Sequence, residues 1–159
     1  MNEVFRMSGR MDWGTPMSVF GPLHDEFHFT VDVCASANTA KCADYYDGHT
    51  KNGLLEEWNG VCWMNPPYGK WISRWVTKAH TEAASGRCTV VGLIPSRTET
   101  SWWHDHIQGI AEVRFVRGRI KFEGAKWNAP FPSAVIVWRS GCLMDLRSGD
   151  GQLFIGGDE

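Results

Sequence analysis

The chain has 159 residues, of which 43% are hydrophobic and 21% are charged. This length and balance fit a single folded domain, which we expect to span 1–159 with loosely held ends at 1–11 and 140–159. No segment approaches the roughly 18 uninterrupted apolar residues of a membrane span, and the first residues lack the apolar stretch of a signal peptide. These features argue against a membrane protein and predict a cytoplasmic one.

The formal net charge of −2 hides an uneven distribution along the chain. Residues 87–139 carry 8 Lys and Arg against 4 Asp and Glu, while the segments on both sides are acidic. A basic segment of this kind is typical of a surface that meets a phosphate backbone. A solvated basic face is the alternative interpretation.

The cysteine and aromatic residues bear on what the interior contains. Five cysteines are widely spread without a C-x-x-C pair, which favours reduced, mostly buried thiols over a metal site or a redox couple. Nine tryptophans and eight phenylalanines either build a dense core or offer stacking surfaces to a flat ligand. Composition alone leaves both uses of the aromatic residues open.

Short apolar runs alternate with helical patterns along the chain, which predicts strands and helices in turn. Strands are predicted at 27–33, 60–64, 88–94, 111–116 and 133–138. Between the second and third strands, Trp71, Trp75 and Ala79 recur every four residues and predict a helix that ends near Gly86. Residues 96–104 are predicted as a further helix.

Several of these strands are apolar throughout, so the sheet they form needs cover on both faces. The pattern therefore predicts a three-layer α/β domain, with helices flanking a mostly parallel sheet and an antiparallel final strand. In such sheets, ligands bind beyond the carboxyl ends of the strands. The chemistry-bearing motifs lie at those predicted ends.

The segment Asn65-Pro66-Pro67-Tyr68 directly follows one predicted strand and precedes a helix. A rigid turn is one interpretation, and a catalytic loop for a planar amine such as that of adenine is the other. In the second, the Asn65 side-chain oxygen and the Pro66 carbonyl accept hydrogen bonds from the amine, which turns its lone pair towards an electrophile. Pro66 and Pro67 fix the backbone in advance, and Tyr68 offers a flat face on which a base stacks.

Six segments between residues 12 and 139 stand in a specific order and spacing. They are DWGTP at 12–16, FTVDVCAS at 29–36, NGL at 52–54, NPPY at 65–68, GRIKF at 118–122 and APFPSA at 129–134. Together they resemble the phage-type DNA adenine N6-methyltransferases, a Dam-like family. The resemblance implies a class I, Rossmann-like fold, S-adenosylmethionine as the methyl donor, and the N6 amino group of adenine in DNA as the acceptor.

The same resemblance implies a set of cofactor-binding residues. A segment near the start of the chain closes over the methionine end of the cofactor. A second segment, on the first strand, is the cofactor motif of class I methyltransferases, here without its usual glycine-rich loop. They are Trp13, Thr15 and Pro16 near the start of the chain, and Asp32, Cys34, Ala35 and Ser36 on the first strand.

Elementary chemistry suggests further cofactor contacts in the loop that follows the first strand. A ribose needs a carboxylate for its hydroxyls, which Asp44 or Asp47 could supply, and a purine needs a nonpolar slot, for which Asn52 and Leu54 are the candidates. Solvated loop residues are the alternative interpretation of the two aspartates.

Basic and aromatic residues interleave in the long segment 118–133. Cations bind phosphates and rings stack on unpaired bases, so this pattern predicts a DNA-binding lid. The amino group of adenine is buried in the duplex, so we expect the enzyme to flip the base out or to act on single-stranded DNA. Without a separate recognition domain we expect a short recognition sequence. The predicted DNA-binding residues are Arg119, Lys121, Phe122 and Trp127, together with Arg97, for which a surface ion pair is the alternative.

Other functions stay open at this point. An Asn-Pro-Pro-Tyr loop would also suit methylation of RNA adenine or of a protein glutamine amide. His24 and His28, with His104 and His106, suggest a metallohydrolase, but no third ligand is placed, so we predict no metal. A catalytically silent DNA-binding protein is the remaining alternative.

Overall fold

The computed structural model describes residues 13–141, and the structural statements that follow concern this part of the chain. The expected loose ends fall almost wholly outside it. The elements in chain order are α1 (Met17–Phe27), β1 (Val31–Asp32), β2 (Gly60–Met64), α2 (Ile72–Ala84), β3 (Cys88–Pro95), α3 (Ser101–His106), β4 (Glu112–Phe115) and β5 (Ser133–Trp138). No helix within 13–141 is both long enough and apolar enough to cross a bilayer.

The five strands form one mixed sheet in the order β1-β2-β3-β5-β4. β1, β2 and β3 are mutually parallel, whereas β5 runs antiparallel to both β3 and β4. The predicted parallel part of the sheet, here β1 to β3, and its antiparallel final strand are therefore confirmed. Because β1, β2 and β3 point the same way, their carboxyl ends meet at one edge, called here the site edge.

Apolar side chains cover the sheet on both faces. On one face, α2 and α3 pack against Val90 and Ile94 of β3. On the other face, α1 and the segment 116–132 between β4 and β5 pack against Val91 and Leu93. The alternation along β3 explains why this strand is apolar throughout, since each face must be buried.

Tryptophan side chains form much of the core. Five of them are almost completely buried, namely Trp58, Trp63, Trp75, Trp103 and Trp138. Among the described cysteines, Cys34, Cys62 and Cys88 are buried free thiols and Cys42 is a half-buried one, as the sequence predicts, while Cys142 lies outside the described residues. Most of the aromatic content therefore builds the interior, and among the described residues Phe115 and Trp127, with 70% and 74% of their surfaces exposed, are the clear exceptions.

Two element predictions were wrong at their boundaries. The strand predicted at 27–33 is only Val31–Asp32, because Phe27 ends α1 and His28 adopts a left-handed φ of 54° that terminates the helix. The helix predicted at 96–104 begins later, at Ser101, because the Thr100 side chain accepts a hydrogen bond from Trp103 N–H and caps the first turn there.

Glu82 on α2 is a buried acid that joins three parts of the fold. Its carboxylate accepts hydrogen bonds from the Trp58 backbone N–H at 3.0 Å and from Arg87 at 2.9 Å, and it also pairs with Lys78. Burial by itself raises the pKa of Glu82, but the hydrogen bonds from Lys78, Trp58 and Arg87 outweigh burial and hold the pKa below its usual value. The carboxylate therefore stays charged and fixes the segment before β2 against α2.

We expect Glu82→Ala to lower the free energy of unfolding by about 1–3 kcal/mol, because the buried Trp58 N–H loses its acceptor. Glu99→Ala, at an exposed position ahead of α3, is the matched control and should change stability by less than about 0.5 kcal/mol. Urea denaturation measures both. Equal losses in the two variants would contradict the role given to Glu82.

Candidate active site

The Asn65-Pro66-Pro67-Tyr68 loop lies at the site edge, directly after β2. Met64, the last residue of β2, is fully buried, and both prolines are buried as well. The chain then turns through Gly69, with a φ of 132°, and enters α2 at Ile72. The predicted strand, loop and helix are therefore present in this order, and the loop is rigid at its centre because each proline fixes its own φ.

The Asn65 carboxamide is held at both of its ends. Its Nδ2 donates to Thr15 Oγ1 at 3.0 Å, and its Oδ1 accepts from the Tyr68 hydroxyl at 2.8 Å. Thr15 is only 2% exposed, so this anchor is itself fixed. The two contacts fix the plane of the carboxamide and leave Oδ1 one further lone pair.

Tyr68 connects the loop to the neighbouring strand. Its hydroxyl is 2.9 Å from the Leu93 carbonyl of β3, as well as within reach of Asn65. Phe122 and Phe131 lie edge-on to the Tyr68 ring, with centroids 6.0 and 5.4 Å away. Burial raises the pKa of Tyr68 far above its usual value, with a smaller contribution from Cys34, so the hydroxyl remains a donor at all ordinary pH values.

Asp32 is the buried carboxylate of the site. It ends β1, is 2% exposed, and accepts backbone hydrogen bonds from Cys34 N–H at 3.2 Å and Lys41 N–H at 3.1 Å. Burial raises its pKa to about 7, although the two hydrogen bonds act in the opposite direction. A carboxylate removed from water in this way favours a cation or hydroxyl groups beside it.

These residues surround one cavity of about 730 Å³ at the site edge. All four predicted catalytic residues line it, as do most of the predicted cofactor residues and one predicted DNA-binding residue. The predicted residues in its wall are Trp13, Thr15, Asp32, Cys34, Ala35, Ser36, Asp47, Asn65, Pro66, Pro67, Tyr68 and Phe122.

Asp47 lines the cavity while also ordering its own loop. Its carboxylate accepts hydrogen bonds from the backbone N–H groups of His49 and Thr50, both at 2.8 Å. The hydrogen bond from His49 is the main reason why the pKa of Asp47 lies below its usual value. Asp44 instead faces solvent and pairs with Lys51 at 3.6 Å. Of the two aspartates considered for the ribose, only Asp47 lies in the wall.

The structure does not bring Asn52 and Leu54 to this cavity. Both line a separate groove of about 510 Å³ along α2. The reason is Gly53, whose backbone packs so closely that a side-chain carbon there would lie 2.1 Å from the Val33 carbonyl. With Gly53 fixed in the interior, its two neighbours point towards α2.

The segment 116–132, called here the lid, has an apolar inner face and a basic outer face. Ile120, Phe122 and Ala129 are at most 5% exposed and pack on the sheet. On the outer face, Lys126 lies over the ring of the exposed Trp127, 5.3 Å from its centroid. Arg119 and Lys121 are also exposed and, with Trp127, lie outside the cavity wall.

Two other predicted residues, Pro16 and Arg97, lie outside the cavity wall. Pro16 caps the amino end of α1, directly after Thr15. Arg97 follows β3 at the site edge, where it is exposed. Within 13–141, no group of three or more His, Cys, Asp or Glu residues is arranged to hold a metal, and His24 Nδ1 accepts the Phe29 N–H at 3.2 Å.

Sequence reasoning missed Lys41, Tyr45 and His49, which also line the cavity. Tyr45 forms a single parallel bridge with Asp32. Lys41 forms an ion pair with Glu123 of the lid at 2.9 Å. No local sequence pattern predicts this ion pair, because 82 residues separate Lys41 from Glu123.

The raised pKa of Asp32 predicts a pH-dependent stability. Between the ordinary pKa of 3.8 and about 7, the folded protein keeps a proton that the unfolded chain has lost, so this residue makes stability fall as pH rises. Asp32→Asn removes the effect. Urea denaturation at several pH values measures the free energy of unfolding of the variant relative to the wild type. This difference should rise in favour of the variant up to about pH 7 and stay constant above it. A difference that is constant with pH would contradict the assignment.

Comparisons with known proteins identify the family to which the chain belongs. A family model described as DNA N-6-adenine-methyltransferase (Dam) matches residues 5–138. A curated relative, the DNA N-6-adenine-methyltransferase of Haemophilus phage HP1 (strain HP1c1), is 30% identical over 114 residues. The match covers 69% of this chain and 65% of that relative, slightly less than two thirds of its length. The predicted resemblance is confirmed: the chain belongs to the DNA N-6-adenine-methyltransferase (Dam) family.

Proposed function

We propose that this chain transfers the methyl group of S-adenosylmethionine to the N6 amino group of adenine in DNA, on a three-layer class I methyltransferase fold. The observation that carries the proposal is the Asn65 carboxamide, held by Thr15 and Tyr68 at a cavity whose wall also contains the buried Asp32 carboxylate. Membership of the family supports the same reaction.

The cavity fits S-adenosylmethionine in size and in the chemistry of its wall. A volume of about 730 Å³ lies within the usual range for ligand pockets. Asp32 is a desolvated carboxylate suited to an ammonium or to hydroxyl groups, and Asp47 is a second acid in the same wall. Trp13 and Phe122, stacked with centroids 6.3 Å apart, add nonpolar surface. The bound donor supplies a methyl group on a positively charged sulfur.

The catalytic contribution of the loop is to orient the acceptor amine. Asn65 Oδ1 keeps one lone pair beyond its bond from Tyr68, and the Pro66 carbonyl accepts no hydrogen bond from the described residues. Together they supply two acceptors for the two N–H bonds of adenine, so that the nitrogen lone pair faces the methyl group. Both acceptors are fixed before the substrate arrives, which is electrostatic preorganisation.

The lid is the surface proposed to meet DNA. Its exposed residues include Arg119, Lys121 and Lys126, together with Trp127, over whose ring Lys126 lies. Such a combination of cations and a ring binds phosphates and stacks on bases. Adenine must leave the helical stack to reach Asn65, either by base flipping or because the substrate is single-stranded. Arg97, exposed at the same edge, is proposed to contact a phosphate.

Asn65→Ala should lower methyl transfer about 100-fold or more, because one preorganised acceptor is lost. The measurement uses labelled S-adenosylmethionine and unmethylated DNA, and binding of the donor alone should stay nearly unchanged. Asn59→Ala is the matched control, since this exposed residue precedes β2 at the opposite edge of the sheet. Retained turnover in Asn65→Ala would remove the proposed mechanism.

Replacing both Arg119 and Lys121 with Ala should weaken DNA binding and make it less sensitive to salt. Each phosphate contact contributes about 0.9 to the slope of log affinity against log salt concentration, so the slope should fall in magnitude by up to about 1.8. Fluorescence anisotropy at several salt concentrations measures it. Arg139→Ala, a change in charge beyond the carboxyl end of β5 and away from the site edge, should leave the slope as it is. An unchanged slope in the double variant would place the DNA elsewhere.

A further inference from the structure

Lys41 holds a particular position in the cavity wall. Among the residues that line this cavity, it is the one lysine or arginine, and its side chain is only 10% exposed. Its backbone N–H donates to Asp32 Oδ2 at 3.1 Å, which ties the main chain at Lys41 to the buried carboxylate. A cation and an anion in the wall of one cavity are complementary to the carboxylate and ammonium of an amino acid zwitterion.

The partner of Lys41 comes from the lid. Glu123 pairs with the ammonium at 2.9 Å, and the side chain of this glutamate is 45% exposed. The Glu123 backbone is tied to the chain start, since its N–H donates to the Gly14 carbonyl at 2.8 Å. A side-chain carbon at Gly14 would lie 2.3 Å from Glu123 Oε2, so the glycine leaves the room that this carboxylate occupies.

The pair is arranged so that another carboxylate can take its place. A half-exposed ion pair contributes little net stability, because water competes for both charges. A ligand carboxylate that enters the cavity presents the same charge and the same oxygen atoms to the lysine, and it is better shielded from water than the rim residue Glu123. Charge-assisted hydrogen bonds strengthen as water is excluded.

We propose that Lys41 binds the α-carboxylate of the methyl donor, and that Glu123 occupies this position until the donor arrives. The inference rests on the proposed function and extends it to a subsite. Asp32 then faces the donor ammonium. When the donor carboxylate displaces Glu123, the lid loses its ionic tie to Lys41, while its backbone contact with Gly14 and its apolar packing on the sheet remain. Donor binding therefore frees the Glu123 side chain at the rim of the cavity.

The test compares two ligands that differ in a single group. Isothermal titration calorimetry, without DNA, measures the affinity for S-adenosylmethionine and for decarboxylated S-adenosylmethionine. The wild type should bind the decarboxylated ligand about tenfold more weakly, the loss expected for one charge-assisted hydrogen bond. Lys41→Met should bind S-adenosylmethionine about tenfold more weakly and should no longer distinguish the two ligands.

Glu123→Gln should change the affinity for S-adenosylmethionine in the opposite direction to Lys41→Met. This variant removes the competing charge, so S-adenosylmethionine should bind a few-fold more tightly, whereas the decarboxylated ligand should bind as it does to the wild type. Lys51→Met, which removes an exposed lysine outside the cavity wall, is the matched control and should leave both affinities unchanged.

Three results would overturn the inference. They are a wild type that binds both ligands equally, a Lys41→Met variant that weakens both ligands by the same factor, and a Glu123→Gln variant that binds the donor more weakly. Comparing the ligands on the wild type does not depend on whether any variant folds. If one of these results is found while labelled methyl transfer proceeds, only the carboxylate subsite is wrong. If the protein distinguishes the two ligands as expected but no methyl group reaches DNA, only the proposed reaction is wrong.

Discussion

The orientation of the Asn65 carboxamide is the constraint on which the rest of the site depends. Two prolines fix the backbone that follows it, Thr15 holds its nitrogen, and Tyr68 holds its oxygen. Thr15 belongs to the chain start and Tyr68 contacts β3, so three separate segments must be in place before the carboxamide is aimed. A side chain fixed from both ends loses little freedom when a substrate binds, which favours an orienting role.

The sheet explains how so short a chain assembles this site. Three parallel strands place Asp32, Asn65 and Leu93 near the same edge of the sheet. Buried tryptophan side chains pack against both faces of the sheet and restrain the strands. Burial of Asp32 costs stability at neutral pH, as its raised pKa indicates. The network around Glu82, on the helix that follows the loop, is one of the contacts that offset such a cost.

The sequence predicts some strand boundaries and site residues correctly and misses others, in each case for a physical reason. The strands 60–64 and 133–138 were predicted with their observed boundaries, because both are short apolar runs bounded by polar residues or turn signals. The strand at 27–33 was misplaced because Phe27 belongs equally well to the apolar face of α1. The Lys41–Glu123 pair could not be predicted, since its members meet only after the lid folds over the sheet.

A crystal structure of the protein with S-adenosylhomocysteine and an adenine-containing oligonucleotide would test the central claim most directly. We expect the adenine amino nitrogen to lie between Asn65 Oδ1 and the Pro66 carbonyl, with the ligand sulfur in the cavity beside Asp32. A complex in which the ligand occupies the groove along α2, or in which the adenine amino group lies away from Asn65, would contradict the proposed mechanism.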